Sequence, residues 1–267
     1  MHKKYKTLTY IIPASVSFFL FALFIKLSGL SVSSLVTLMD TLVEQALVIT
    51  TGLSTLAAIG FLLAPFLFIV IGFCFLMLGL AVLAAYGCRE KEPEYFFVPG
   101  IVGALAVIVL CQSVLAIFIG LSLIVASFIV VTLSAAYIKE LTRWIRFRTG
   151  HRAIGRALLI VNIFIAAGIF FTVLANQNVY GEQFQEKMIT SMTRIATASV
   201  PTLAGNEVLI EPQIRSLISQ SPMIQAYVRW IPVVSALTVW FFLELLRTFV
   251  LSVLGGFLTL LFVRETD

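Results

Sequence analysis

The sequence predicts an all-α, polytopic membrane protein of about six transmembrane helices with an extracytoplasmic amphipathic helical region. Three observations predict it. Hydrophobic residues make up 60% of the 267-residue chain and charged residues only 12%, where a soluble domain is about 45–50% apolar and about a quarter charged. The apolar residues come in unbroken runs long enough to cross a hydrocarbon core of about 30 Å. The basic residues are clustered, at His2, Lys3, Lys4 and Lys6 and again in KELTRWIRFRTGHRAIGR, Lys139 to Arg156, as topogenic charge is in membrane chains.

Taken in order, the first span runs from about Leu8 to Leu27. Its basic start and apolar stretch have the form of a signal peptide. Lys26 and the following LSGLSVSS carry no A-x-A cleavage pattern, so the expectation is a retained signal anchor. Leu30 to Leu53 is less apolar; Leu35, Leu38, Leu42 and Leu47 form a helical stripe, which reads as an amphipathic or tilted helix. Leu56 to Tyr86 is strongly apolar and longer than one perpendicular span, with Pro65 as its entry or a kink, or as a point dividing Ala46–Tyr86 into two spans. The polar CREKEPEY closes it.

Phe96 to Ile138 is apolar throughout, about 65 Å if helical. It admits two spans joined by a tight turn near Gln112, or a short re-entrant helix (Pro99 to Leu110) feeding one span from Ser113 to Tyr137. Ser113, Gly120, Ser127 and Ser134 recur every seven residues with Ala116 between them, a narrow face on which another backbone can come close. The next span is Ala157 to Leu174.

Residues 176–229 form the only sizeable polar region. Within it Tyr180, Phe184, Met188, Met192 and Ile195 mark one amphipathic helix, interrupted by Pro201 and Gly205-Asn206. Ile210, Ile214, Leu217 and Ile218 mark a second, ending before Ser221-Pro222. The two helices read either as a cap lying on the membrane surface or as a small lid packed on itself. The last run, Trp230 to Val263, is about 50 Å of helix, again longer than the core.

The organisation expected is a membrane domain over 1–175 with a basic inner loop at 139–156, an extracytoplasmic helical region at 176–229, and a final long helix and short tail at 230–267. Six spans put both termini and the basic loop in the cytoplasm and 176–229 outside a cell membrane. Four Glu against three Lys/Arg between Asn176 and Val228 are tolerated there.

Little in the chain can do covalent chemistry. It has two histidines and no zinc-protease, nucleophile-elbow or phosphate-loop motif. Cys74, Cys88 and Cys111 have no CxxC spacing and read as small buried hydrophobes. The expectation is no enzyme, no cofactor and no metal. Asp40 and Glu44 share a helix face at i, i+4, a candidate acidic pair for a cation or a proton relay. Gln112 and Asn162 are single amides within spans, suited to interhelical hydrogen bonding.

The basic loop offers Lys139, Arg143, Trp144, Arg146, Arg148, Arg152 and Arg156 to lipid headgroups. Trp144 and Phe147 among arginines suit a membrane interface and anionic lipid better than a nucleic-acid groove, so nucleic acid is not expected as a partner.

The last run holds the sharpest candidate. Glu244 and Arg247 stand at i, i+3 inside it and can pair. At 100° per residue Glu244, Thr248, Ser252, Gly255 and Thr259 fall within about 80° of one another, a polar and small stripe on a bulky helix. Counting about 20 residues back from Arg264 puts Glu244 and Arg247 at the outer membrane boundary, with Trp230–Leu243 outside or along the interface. The stripe reads as a close-packed seam whose ion pair fixes the register, or as the wall of a water-filled path. The first reading makes the protein a non-enzymatic assembly or scaffold component, with a second copy or another membrane protein as partner. The second makes it an ion channel or small-solute transporter.

Overall fold

The computed structural model describes residues 2–29, 55–89, 95–141, 144–199 and 207–264. Among them every regular element is helical: α1 (His2–Leu27), α2 (Thr55–Arg89), α3 (Phe97–Cys111), α4 (Val114–Glu140), α5 (Ile145–Ala175), α6 (Gln177–Ser199), α7 (Glu207–Gln220), α8 (Pro222–Leu246), a π-helical turn (Arg247–Leu251) and α9 (Ser252–Arg264). The weakly apolar stretch 30–54 with Asp40 and Glu44, Arg143, the break at Pro201 and Gly205-Asn206, and the Ile195 side chain lie outside the described residues.

The chain is an all-α polytopic membrane protein. Among the described residues five helical stretches are long and apolar enough to cross a membrane: Thr7–Leu27, Leu67–Arg89, Val114–Glu140, Ile145–Ala175 and Pro222–Val263. The count of about six included either a second full crossing in Phe96–Ile138 or a division of the earlier run at Pro65. The helix α2 passes through Pro65 without a break. The helix α3 has only 15 residues, about 22 Å, and begins beside the middle of α4, where the Phe96 and Phe128 rings lie 5.5 Å apart.

The chain divides into two compact units, Met1–Gly168 with Thr238–Asp267, and Ile169–Leu237. In the first, α1 and α2 pack antiparallel, with the Tyr10 ring 5.7 Å from Tyr86 and Phe24 stacked 5.4 Å from Phe75. Phe18 is fully buried and lodges against two glycines on different helices. A Cβ would lie 2.6 Å from its ring at Gly79 and 2.7 Å from its Cβ at Gly103. These glycines are the holes for one aromatic knob joining α1, α2 and α3.

The α3–α4 hairpin turns at Gln112, which is left-handed (φ 45°, ψ 44°) and donates its N–H to Ile108 O at 3.0 Å. Ser113 then caps α4, its Oγ accepting from Ala116 N at 3.1 Å. A left-handed C-cap followed by a serine N-cap is a helix stop and start. Gln112 therefore acts as a cap on the surface and makes no interhelical glue. The seven-residue stripe of α4 meets α3: Gly120 comes up against Ala104 and Ile108, and Ser127 against Gly100. That packing is within the chain. Leu76, Met77, Leu80, Leu83, Leu123, Val130, Ile154 and Leu158 fill the core between α2, α4 and α5.

The helix α9 lies along α5 in the opposite sense, with Thr259 against Gly150 and Ser252 against Gly155. Gly87 of α2 sits on the Val131 backbone of α4. The start of α1, the ends of α2, α4 and α9 and the start of α5 thus share one end of the bundle. That end carries Arg89, Lys139, Arg146 and Arg148.

In the second unit α6 packs on α7 and on the start of α8. The Tyr180 side of α6 meets α8: Gly181 faces Val228, and Phe184 stacks 5.0 Å from Tyr227. The opposite side, with buried Ile189 and Thr193, is the one from which Glu186 reaches Arg215 of α7 at 2.5 Å. Residues four apart drift by 40° per step at 100° per residue, so the expected stripe turns away from its partner and Met192 is exposed. Of the second expected stripe, Ile218 is buried and its neighbour Leu217 is 72% exposed.

Candidate functional site

Glu244 ends the last full turn of α8 and Arg247 opens the π turn. The Arg247 guanidinium holds the carboxylate in a two-pronged bond, Nε donating to Glu244 Oε2 at 2.9 Å and Nη2 to Oε1. Its third arm, Nη1, donates to the Gly155 carbonyl on α5 at 3.0 Å. Asn162, also on α5 and buried, donates Nδ2 to Glu244 Oε2 at 3.4 Å. The two charged side chains are 21% and 23% exposed. This is a clasp in which one arginine and one carboxylate satisfy each other and grip a neighbouring helix at two points.

The clasp sits at mid-height in its bundle. Asn162 lies on α5 between Gly168, which packs on Leu115 and Phe118 at the start of α4, and Arg152, whose guanidinium stands 6.0 Å over Tyr137 near the end of α4. Those intervals are about 9 and 15 Å of helix. Trp230–Leu243 belongs to a helical stretch of 42 residues, Pro222–Val263, about 63 Å long and so longer than a hydrocarbon core. An unpaired charge at such depth costs at least about 2.5–3.5 kcal/mol, and the clasp leaves none unpaired.

The stripe is also redrawn. Within the π turn the Ser252 N–H bonds Arg247 O, five residues back. The turn holds one residue more than an α-turn, and everything after it lags by about 100°. Arg247 therefore joins the face against α5, while Thr248 leaves it and is exposed, its hydroxyl accepting a 3.5 Å bond from Arg247 Nη2. Ser252, Gly255 and Thr259 are buried. Gly255 faces Ile154 and Met77, and Thr259 faces Gly150 so closely that a Cβ there would lie 2.3 Å from its hydroxyl. Ser252 Oγ donates to Arg247 O at 2.7 Å and Thr259 Oγ1 to Gly255 O at 2.8 Å. These hydroxyls point back into their own helix.

Of the basic candidates, Lys139, Trp144, Arg148, Arg152 and Arg156 are exposed and Arg146 is half-buried. Arg148, Arg152 and Arg156 recur every four residues on one face of α5. Among the described residues no three His, Cys, Asp or Glu side chains could hold a metal ion together. Two participants escaped the sequence reading. The Gly155 carbonyl carries no side-chain signal, and the π turn has no composition of its own.

No protein-family model, curated protein or solved structure matches this chain.

Proposed function

We infer that this integral membrane protein is non-enzymatic and serves as a membrane-embedded assembly or scaffold component. The observation that carries the reading is the closed clasp: the carboxylate and guanidinium at mid-height are spent on each other, on Asn162 and on a backbone carbonyl. The glycine and hydroxyl stripe below them is used for packing. A group that carries ions or protons must be free to exchange partners, and a catalytic set needs titratable groups converging on a pocket.

The positive-inside rule assigns the shared basic end to the cytoplasm of a cell membrane, with both termini there and 176–229 outside. Arg148, Arg152 and Arg156 with Lys139, Arg146 and Trp144 then meet anionic headgroups. Leu217, Met223 and Trp230, exposed on the helices of the outer region, are the surface offered to a second copy or another membrane protein.

The test is conductance of the purified protein in a planar bilayer beside Glu244→Gln, with particle mass in nanodiscs measured in parallel. The expected result is background current for both and a complex larger than one chain. A current that the substitution alters overturns the reading in favour of a channel.

A further inference from the structure

We propose that α8–α9 is a two-register helix. The Glu244–Arg247 clasp holds the π turn that seats the small-residue face of α9 on α5. Opening the clasp lets the turn relax to α-helix, rotating α9 by about 100°. This deepens the reading of the clasp as a structural lock and rests on it.

The phase of the two helical segments carries the argument. In an uninterrupted α-helix, Arg247 and Ser252 lie about 140° apart and cannot both face one neighbour squarely. Both do: Arg247 Nη1 bonds Gly155 O at 3.0 Å, and a Cβ on the same glycine would lie 3.3 Å from the Ser252 Cβ. The extra residue in the turn removes the conflict. The turn is tied at its exit, where Ser252 N–H and Oγ both donate to Arg247 O, and at its entrance by the grip of Arg247 on Glu244 and α5. Both ties converge on Arg247.

The second register is written in the same helix. If the turn loses its extra residue while the clasp end stays in place, each position facing α5 passes to the residue before it. Leu251 replaces Ser252, Leu254 replaces Gly255 and Leu258 replaces Thr259. The spacing i, i+3, i+7 makes these leucines a complete helical packing stripe. Opposite them on α5 stand Gly150 and Gly155, which leave room for large side chains. In the observed register the small residues face α5 while Leu251 is buried and Leu258 partly buried in the core beside them; in the second the leucines take the α5 face. In the second, Ser252, Gly255 and Thr259 swing towards the neighbouring face.

Disulfide trapping reads the register directly. In the full chain with Cys74, Cys88 and Cys111 replaced by serine, reconstituted in nanodiscs, Gly155→Cys is paired with Ser252→Cys or with Leu251→Cys. The first pair is close to disulfide geometry in the structure, and the backbone bond from residue 252 to Arg247 O survives the substitution. With the clasp intact the first pair forms and the second stays at background. Adding Glu244→Gln raises the second pair about tenfold at the expense of the first.

Deletion of Phe249, a 74% exposed residue of the turn, separates register from loosening. It removes the extra residue, so the first pair forms with or without Glu244→Gln. An unchanged ratio in the clasp variant overturns the proposal, as does loss of both pairs or loss of the first pair on deletion. The ratio of the pairs is independent of current in the bilayer, so the switch and the scaffold reading fail separately.

Discussion

The chain holds two arginine–carboxylate pairs of the same chemistry in different surroundings. In the second unit Arg215 bonds Glu186 at 2.5 and 3.0 Å and Glu211 at 3.2 Å, with side chains about half exposed. In the bundle Arg247 bonds Glu244 with less than a quarter of either side chain exposed. The first pair joins two helices but competes with water at every atom. The second is made within one helix, and what it joins is joined through its spare arm and through Asn162. Strength here follows from what surrounds a pair and from where its unused hydrogen-bonding capacity goes.

The largest effect is expected from opening the inner pair. Glu244→Gln leaves Arg247 charged without its counter-ion, and breaking a buried pair this way costs roughly 3 kcal/mol. Reversible unfolding in mixed micelles measures it. The double variant Glu244→Gln/Arg247→Gln is expected to recover part of the loss; equal losses in both would mean the charge pairing is immaterial.

Next comes the seam that the pair anchors. Gly150→Ala places a methyl 2.3 Å from the Thr259 hydroxyl and 2.5 Å from its Cβ, an overpacking expected to cost about 2 kcal/mol. Thr259→Gly in the same chain relieves it, so the pair of substitutions is non-additive in a double-mutant cycle. Additivity would place Gly150 elsewhere than against Thr259.

The exposed pair is expected to show its effect in pH. The bonds from Arg215 hold the Glu186 carboxyl below the ordinary carboxylate value. A depressed folded-state value means a contribution present above the unfolded value and lost as pH falls through the folded one. Hydrogen exchange of α6 and α7 should therefore quicken as pH drops below the ordinary carboxylate range, with Glu186→Gln flattening that dependence. Retention of the full dependence in the variant would assign it to another carboxylate. At neutral pH and high salt the same substitution should leave the melting temperature nearly unmoved.

The smallest effect is expected at Ser134, buried with no partner for its Oγ. Ser134→Ala should fall within about 0.5 kcal/mol of the parent, on the stabilising side, because no hydrogen bond is lost. A loss of more than that in the same unfolding assay would reveal a partner for the hydroxyl.

Much of this was legible in the residues. Hydropathy found the spans. The turn expected near Gln112 is there: Gln112 ends α3 through its backbone N–H, and only Ser113, which starts α4, caps through its side chain. The helices α6 and α7 matched their periodicity, although drift across α6 and two successive partners hid which side of each turn is buried. Pro65 stands just ahead of the apolar span Leu67–Arg89, as an entry would, and α2 continues through it rather than dividing there. Glu244 and Arg247 were found by charge, and their pairing by spacing. The exchange of Thr248 for Arg247 was missed because uniform periodicity cannot represent one added residue.

Placing both charges of the clasp on one helix has a consequence for how the protein is made. Synthesis delivers helices from the N-terminus, so α8–α9 reaches the membrane after α5 is already in place. A carboxylate and a guanidinium three residues apart can neutralise each other inside the translocation machinery, before Asn162 or Gly155 is within reach. The segment is thus inserted as a nearly neutral one, and the contacts to α5 are added as it docks. Had the two charges been divided between α5 and α8, each helix would have met the lipid carrying a bare ion. Biogenesis, as much as the finished bundle, favours the i, i+3 arrangement.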